Sequence, residues 1–266
     1  MDFRSRFAGQ HVLITGAARG LGLEIAHHFA REGAVLSLFD QDSANLEEAR
    51  QKLQQTTKVQ AYCLDISDAG AVKQAVTTAE QWQPLDVLVN NAGIAYETPF
   101  LAIEEKEWRK VLDVNLTGMF FVAQAVCRFM AARKRGVVIN MSSKNGMDGE
   151  AGYAHYNASK AGAILLTKTM ALELAHCGIR VNAVCPGYIQ TPMSAAIDSP
   201  EFVENFVKQY IPAGRPGKPG EIAPVFLFLA SAESSFINGQ VIVADGGQLA
   251  GQNPGPEVLA KLKTIE

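Results

Sequence analysis

Tyr156 and Lys160 stand four residues apart in a segment of helical periodicity, so both side chains leave one face of a helix. A free phenol titrates near ~10 and is a poor base at neutral pH. An ammonium beside it favours the phenolate, which suits Tyr156 to general acid–base work. That spacing alone is common, and it also describes a surface tyrosine resting on a lysine stem. Ser143 strengthens the chemical reading. It lies 13 residues before Tyr156, just past the apolar run Val137–Met141, at a strand end where α/β proteins build sites. Asn115 sits inside the long helical stretch Glu104–Ala131, where a polar amide has no evident core role. Tyr153 competes as the base, but it is seven residues from Lys160 and lacks the four-residue spacing.

A second constellation sits near the amino terminus. The apolar run His11–Thr15 leads directly into Gly16-Ala17-Ala18-Arg19-Gly20-Leu21-Gly22, and a helical pattern follows. Gly16 permits a tight turn, Gly20 lets backbone approach a pyrophosphate, and Gly22 allows close helix–strand packing. The helix that opens at Leu21 offers unpaired N–H groups and a positive dipole end to phosphate. A glycine-rich turn with no ligand has the same letters, so the residues that follow carry weight. Asp40 closes the second apolar run, 18 residues after Gly22, where a carboxylate accepts from ribose hydroxyls. Asp42 or Ser43 can cap the next helix, which leaves Asp40 free. Asp65 and Ile66 end the third run, where an adenine would lie. Asn90-Asn91-Ala92-Gly93 ends the fourth, with small residues that let backbone reach a ligand.

The elements that position these groups alternate along the whole chain. His11–Thr15, Val35–Phe39, Val59–Leu64, Leu85–Val89, Val137–Met141, Ile179–Val184 and Val241–Val243 read as buried strands. Between them run the helical patterns Leu21–Arg31, Ser43–Gln54, Asp68–Gln81, Glu104–Ala131, His155–His176 and Glu221–Ala230. This alternation predicts a single α/β domain, doubly wound, with a seven-stranded parallel sheet of Rossmann type over residues 1–247. Between Pro186 and Gly220 the rhythm breaks; six prolines accompany an amphipathic piece, Pro200–Tyr210. We expect a substrate lid there, over about 188–217. Residues 248–266 form a tail with two placements open, the active site or a subunit interface.

The bulk properties narrow the function. The chain has 266 residues, 48% of them hydrophobic, and a formal net charge of −3. No basic excess exists to neutralise a phosphate backbone, so no nucleic-acid partner is expected. Cys63, Cys127, Cys177 and Cys185 form no C-x-x-C pair; their spread fits a reducing compartment, and the cytoplasm is expected. The first ten residues hold no signal-peptide core, and no uninterrupted apolar run approaches ~18 residues, so no membrane span is expected. The helix His155–His176 is apolar on more than one face, through Leu165, Leu166, Met170, Leu172 and Leu174 among others. Such a helix buries its second face, here against another copy of the chain.

Taken together, T-G-x-x-x-G-x-G, N-N-A-G, the asparagine in V-N-L-T-G, S-S before Y-N-A-S-K, P-G-Y-I-Q-T-P and D-G-G resemble the short-chain dehydrogenase/reductase family in kind and order. The motifs run from Thr15 to Gly247. The resemblance implies that Tyr156 accepts the substrate proton. Lys160 then holds the nicotinamide ribose and depresses the tyrosine pKa, and Ser143 stabilises charge on the substrate oxygen. Asn115 kinks its helix and anchors a water leading from Lys160. Pro186, Gly187, Ile189 and Thr191 wrap the nicotinamide, and the resemblance suggests a homotetramer. Arg19 departs from a pure NAD pattern, since a basic residue there can hold a 2′-phosphate. Asp40 opposes it: two unit charges ~4 Å apart repel by ~4 kcal/mol at an effective dielectric of ~20. NAD is therefore the expected cofactor.

The substrate expected is a sugar or polyol, oxidised at a secondary or anomeric hydroxyl. Lys144, Asn145 and His155 supply polar groups beside Ser143 and Tyr156, and Arg215 could grip an acidic sugar through two parallel hydrogen bonds. A 3-oxoacyl thioester reductase is the rival within enzymes. An idle NAD-binding regulator is the rival outside them, and the filled set Asn115, Ser143, Tyr156 and Lys160 speaks against it.

Overall fold

Parallel pairing of seven apolar strands makes one sheet: β1 (His11–Thr15), β2 (Val35–Asp40), β3 (Val59–Cys63), β4 (Val87–Asn90), β5 (Gly136–Met141), β6 (Ile179–Pro186) and β7 (Val241–Ala244). The computed structural model describes residues 5–251 together with Val258 and Lys261. Strand order is β3-β2-β1-β4-β5-β6-β7, so the winding reverses between β1 and β4. Loops part at such a reversal, and a crevice opens at the carboxyl ends of the strands.

Both faces of the sheet are covered, which is why its strands read as continuous apolar runs. Val12 and Ile14 of β1 face α1 (Gly20–Arg31) and α9 (Pro219–Ala230), through Ile25, Phe29, Ile222 and Phe226. α2 (Ser43–Leu53) adds Leu46 and Leu53 to that layer. Leu13, one residue out of phase, faces the opposite layer. There α3 (Ala69–Trp82), α5 (Met119–Arg133) and α6 (Ala154–Leu174) contribute Val72, Val76, Val122, Val126 and Ala171.

The stretch expected as one helix from Glu104 is α4 (Glu105–Leu112), a π-helical turn at Asp113–Gly118, and then α5. The wider π turn swings Asn115 inward. Gly118 lets it close on the third βα loop, since a Cβ there would lie 2.8 Å from Ile66 Cγ1. The continuous stretch Glu105–Arg133 is long and apolar enough to cross a membrane by length and composition. Here its second half packs on α3 and β4 and closes the core beneath the sheet.

Between β6 and α9 the segment expected to form a lid contains α7 (Pro192–Ile197) and α8 (Pro200–Tyr210), one helix more than the sequence pattern suggests. Its neck is pinned where Ile189 bridges Gly217, and Gln190 N donates to the Gly217 carbonyl at 2.9 Å. Gln248–Gly251 follow β7 closely; the rest of the expected tail, apart from Val258 and Lys261, lies outside the described residues.

Candidate active site

The turn after β1 is shaped to admit a phosphate group. Gly16 has φ +65°, and a Cβ on it would come within 2.8 Å of the Ala92 backbone. A Cβ on Gly22 would lie 2.1 Å from the Gly16 carbonyl, so only glycine lets α1 sit this close to the strand. Gly20, at φ +59°, meets only the Pro192 ring at 3.6 Å and leaves an open approach. No side chain caps α1 and no acidic residue occupies its first turn. Its N–H groups and dipole therefore remain available to a pyrophosphate, and the turn fits a dinucleotide. Thr15, passed over in the sequence reading except as a motif letter, ties the two halves of the crevice together. Its hydroxyl accepts from the N–H groups of Asn91 and Ala92, both at 3.0 Å. Asn91 answers by donating to the carbonyls of Thr15 and Gly16 at 3.0 and 3.1 Å.

Asp40 closes β2 as expected, yet it is not free. One oxygen accepts from the Ala18 N–H at 2.9 Å and the other from Asp42 N–H at 3.0 Å. The carboxylate therefore braces the glycine turn, and only its remaining lone pairs face a ribose. Asp42 caps α2 through Asn45 N–H. Arg19 is exposed and acts electrostatically on Asp42. Asp65 accepts from Ser67 and pairs with Lys110 at 3.5 Å, while Ile66 is buried against Gly118.

At the centre of the crevice, β5 delivers Ser143 and α6 delivers Tyr156 and Lys160. Ser143 acts on the Tyr156 phenol to lower its pKa, but burial outweighs this and pushes the phenol up to about 12. Lys160 is 2% exposed, donates to the Met141 carbonyl at 3.0 Å, and lies 5.6 Å from the centre of the Tyr156 ring. Burial brings its ammonium down to about 8. In the chain by itself the influence that lowers the Tyr156 pKa comes from Ser143, and Lys160 is desolvated beside it.

Asn115 is fully buried in the π turn and clamps the loop after β4. It accepts from Ile94 N–H at 2.8 Å and donates to the Ile94 carbonyl at 2.9 Å and to Ser159 at 3.1 Å. Ser159 in turn donates to the Tyr156 carbonyl at 2.7 Å, so a polar chain links the fourth-strand loop to the catalytic helix. A Cβ on Gly93 would stand 3.4 Å from Lys160 Nζ, so that loop passes the ammonium at contact distance. Gly187 rests on Asp245, 2.7 Å from a Cβ placed on it. Beside it the Gln248 side-chain oxygen is buried with no hydrogen-bond partner among the described residues. Thr191, expected at the nicotinamide, caps α7 in a reciprocal pair with Ser194.

The residues expected to grip an acidic substrate are already engaged. Lys144 pairs with Glu150 at 2.8 Å. Asn145 donates to Asn157 at 2.9 Å. His155 is fully buried; Nδ1 accepts from Tyr156 N–H and Nε2 donates to Glu107 at 2.9 Å. Arg215 is exposed, and Glu221 fills both arms of its guanidinium at 2.6 and 2.8 Å. The anion grip is therefore corrected: its cations belong to carboxylates of the chain itself.

The family model described as enoyl-(acyl carrier protein) reductase, one of the short-chain dehydrogenase/reductase group, matches residues 16–248. The chain belongs to the short-chain dehydrogenase/reductase family. It is 43% identical over 244 residues to the 3-oxoacyl-[acyl-carrier-protein] reductase FabG of Thermotoga maritima, covering 91% of this chain and 98% of that one. It is 39% identical over 252 residues to the L-tagatose-forming galactitol 2-dehydrogenase of Cereibacter sphaeroides, covering 93% and 98%. Among solved structures, a gluconate 5-dehydrogenase from Burkholderia cenocepacia in complex with NADP and tartrate superposes with a TM-score of 0.87. That protein is 35% identical, with 94% of this chain and 99% of the other covered. Members of the family are oxidoreductases that bind a nicotinamide cofactor, NAD or NADP.

Proposed function

We propose that the protein is an NAD-dependent dehydrogenase that oxidises a secondary or anomeric hydroxyl of a sugar or polyol. The observation that carries the reaction is the grouping at the carboxyl end of the sheet: Ser143 just past β5 lowers the Tyr156 pKa, and Lys160 lies 5.6 Å from the centre of the Tyr156 ring. A substrate hydroxyl seated against the pair loses its proton to Tyr156, while Ser143 donates to the oxygen on which charge develops. Lys160 would hold the ribose hydroxyls of a bound nicotinamide cofactor. Asn115 keeps the Gly93–Ile94 loop in place beside it, and the backbone of Ile189 and Thr191 with Gly187 closes the nicotinamide end. An oxidised nicotinamide held there would supply the acceptor for the hydride of the carbinol carbon.

Asp40 supports NAD: the carboxylate is fixed by two backbone N–H groups and cannot turn away from a 2′-phosphate, whereas exposed Arg19 can turn to solvent. The likeness to a galactitol dehydrogenase supports the polyol class, and the FabG likeness supports the rival, a 3-oxoacyl thioester reductase. A panel of polyols, sugars and 3-hydroxyacyl thioesters with NAD⁺ and NADP⁺, read as absorbance of the reduced cofactor, decides between them. A thioester with the highest kcat/KM defeats the polyol reading. Tyr156→Phe abolishes turnover and leaves folding and cofactor binding intact; more than a few per cent of the original kcat defeats the role of Tyr156.

The same reading places a second copy of the chain on α6. Leu165 and Leu172 are 61% and 83% exposed there, and a tetramer would cover them. Light scattering on the purified protein measures this; a monomer at micromolar concentration defeats it. Cys63, Cys127, Cys177 and Cys185 are all free thiols, which supports a reducing compartment such as the cytoplasm.

A further inference from the structure

The segment between β6 and α9 carries a carboxylate that no expected role uses. Asp198 ends α7, and the Tyr188 hydroxyl donates to it at 2.8 Å from the segment just past β6. Tyr188 is held in turn by Phe206 of α8, ring centres 5.4 Å apart. Across the cleft Tyr153 lies edge-on to Tyr156, with ring centres 6.3 Å apart. Asp198, Glu97 and Glu150 all act on Tyr153, and Glu150 also acts on Tyr156, Tyr188 and Asp198, so these groups share one compartment. Burial raises the Asp198 pKa, the Tyr188 hydrogen bond opposes the rise, and Glu150 adds to it. Lys144 reaches this wall, and Glu150 holds it. The catalytic hydroxyl pair marks where a substrate must sit; the wall around it is tyrosine and carboxylate.

We propose that Asp198, positioned by Tyr188, is a specificity-determining residue: it accepts a hydrogen from a substrate hydroxyl remote from the reacting carbon. Its negative charge turns away substrates that carry a carboxylate, phosphate or sulfonate. The preferred alcohol is then an uncharged polyol. The inference rests on the reading that Tyr156 and Ser143 act on a sugar or polyol, and it narrows that class to its neutral members. A carboxylate acceptor distinguishes the two kinds of ligand sharply, because a hydroxyl can donate to it and an anion can only repel it.

The test compares a hexitol with the hexonate of matching stereocentres, in the wild type, in Asp198→Asn and in Tyr188→Phe. Cofactor binding and thermal melting serve as folding controls. The wild type is expected to favour the hexitol in kcat/KM by at least about tenfold. Asp198→Asn should raise KM for the hexitol, lower it for the hexonate, and narrow the ratio by about tenfold. Tyr188→Phe should narrow it less, since the carboxylate remains but loses its anchor. A wild type that prefers the hexonate, or a ratio unchanged in Asp198→Asn, overturns the proposal. If a thioester proves the best substrate, the polyol reading fails by itself. The charge ratio is then read between an uncharged N-acetylcysteamine thioester and the anionic coenzyme A thioester, and an unchanged ratio there overturns the role of Asp198 as well.

Discussion

Lys160 lies against the Tyr156 ring, its nitrogen 5.6 Å from the ring centre, and bonds the Met141 carbonyl at 3.0 Å. The group that pulls down the phenol's pKa is the Ser143 hydroxyl. Lysine and tyrosine are both desolvated, and each is driven toward its neutral form: the phenol up to about 12, the ammonium down to about 8. Two consequences follow, one for the pH dependence of the reaction and one for stability.

Ser143→Ala should shift the alkaline limb of the pH–rate profile for alcohol oxidation to higher pH. The phenolate is the base. Ser143 lowers the phenol's pKa, so its removal raises that pKa and shrinks the phenolate fraction at any given pH. Loss of the same hydroxyl from the substrate oxygen should also lower kcat by roughly 10²–10³. Steady-state rates across the alkaline range measure both effects. An unmoved limb in a variant with residual activity contradicts this influence of Ser143.

Lys160→Met should stabilise the cofactor-free protein while it destroys activity. In the folded chain the ammonium pKa is about 8, against 10.5 for the free side chain. Below the folded value both states are protonated and the fold carries the full cost of the buried charge. That cost falls as pH rises from about 8 toward 10.5, because the folded state then sheds its proton first. The expected gain at pH 7, after allowing for the lost bond to Met141, is on the order of 1–3 kcal/mol. Urea melts at pH 7 and pH 10 check the sign: the gain should be larger at pH 7.

Asn115→Ala should cost about 2 kcal/mol of stability, because it leaves both backbone groups of Ile94 without their partner and breaks the link to Ser159. Activity should fall further than stability alone explains, since the Gly93–Ile94 loop passes the Lys160 ammonium at contact distance. The comparison needs denaturant melts and kcat on the same preparation. Full activity in a destabilised variant would leave Asn115 a purely structural residue.

The strands were legible because a parallel sheet buried on both faces must be apolar throughout, as Val12, Leu13 and Ile14 show by facing alternate layers. Gly16 and Gly22 were legible for a related reason: a close backbone approach leaves one residue type possible. The π turn was not. It depends on Gly118 meeting Ile66, a contact between distant segments that local periodicity does not encode. The polar residues near Tyr156 misled in the same way. Lys144, His155 and Arg215 have the right types for an anion site, but their partners Glu150, Glu107 and Glu221 are chosen by the tertiary fold. Asp198 drew no attention because its neighbours come from Tyr188 and the far side of the cleft.

Asp40 has two tasks, and two substitutions separate them. In the proposed reading its charge faces the place of a 2′-phosphate, and its oxygens hold the N–H groups of Ala18 and Asp42. Asp40→Ala removes both, so the preference for NAD over NADP should relax while KM rises for each cofactor, because the glycine turn loses its brace. Asp40→Asn removes the charge but keeps an acceptor for Ala18. It should relax the preference by a similar factor, at least about tenfold, with KM for NAD nearly unchanged. Tenfold is a conservative fraction of the ~4 kcal/mol estimated for two charges ~4 Å apart, since water reaches the rim of this pocket. Arg19, exposed beside the turn, is then available to the phosphate. Initial rates with NAD⁺ and NADP⁺ on all three proteins give the answer. If Asp40→Asn keeps the original preference, the carboxylate braces the turn and does not choose the cofactor.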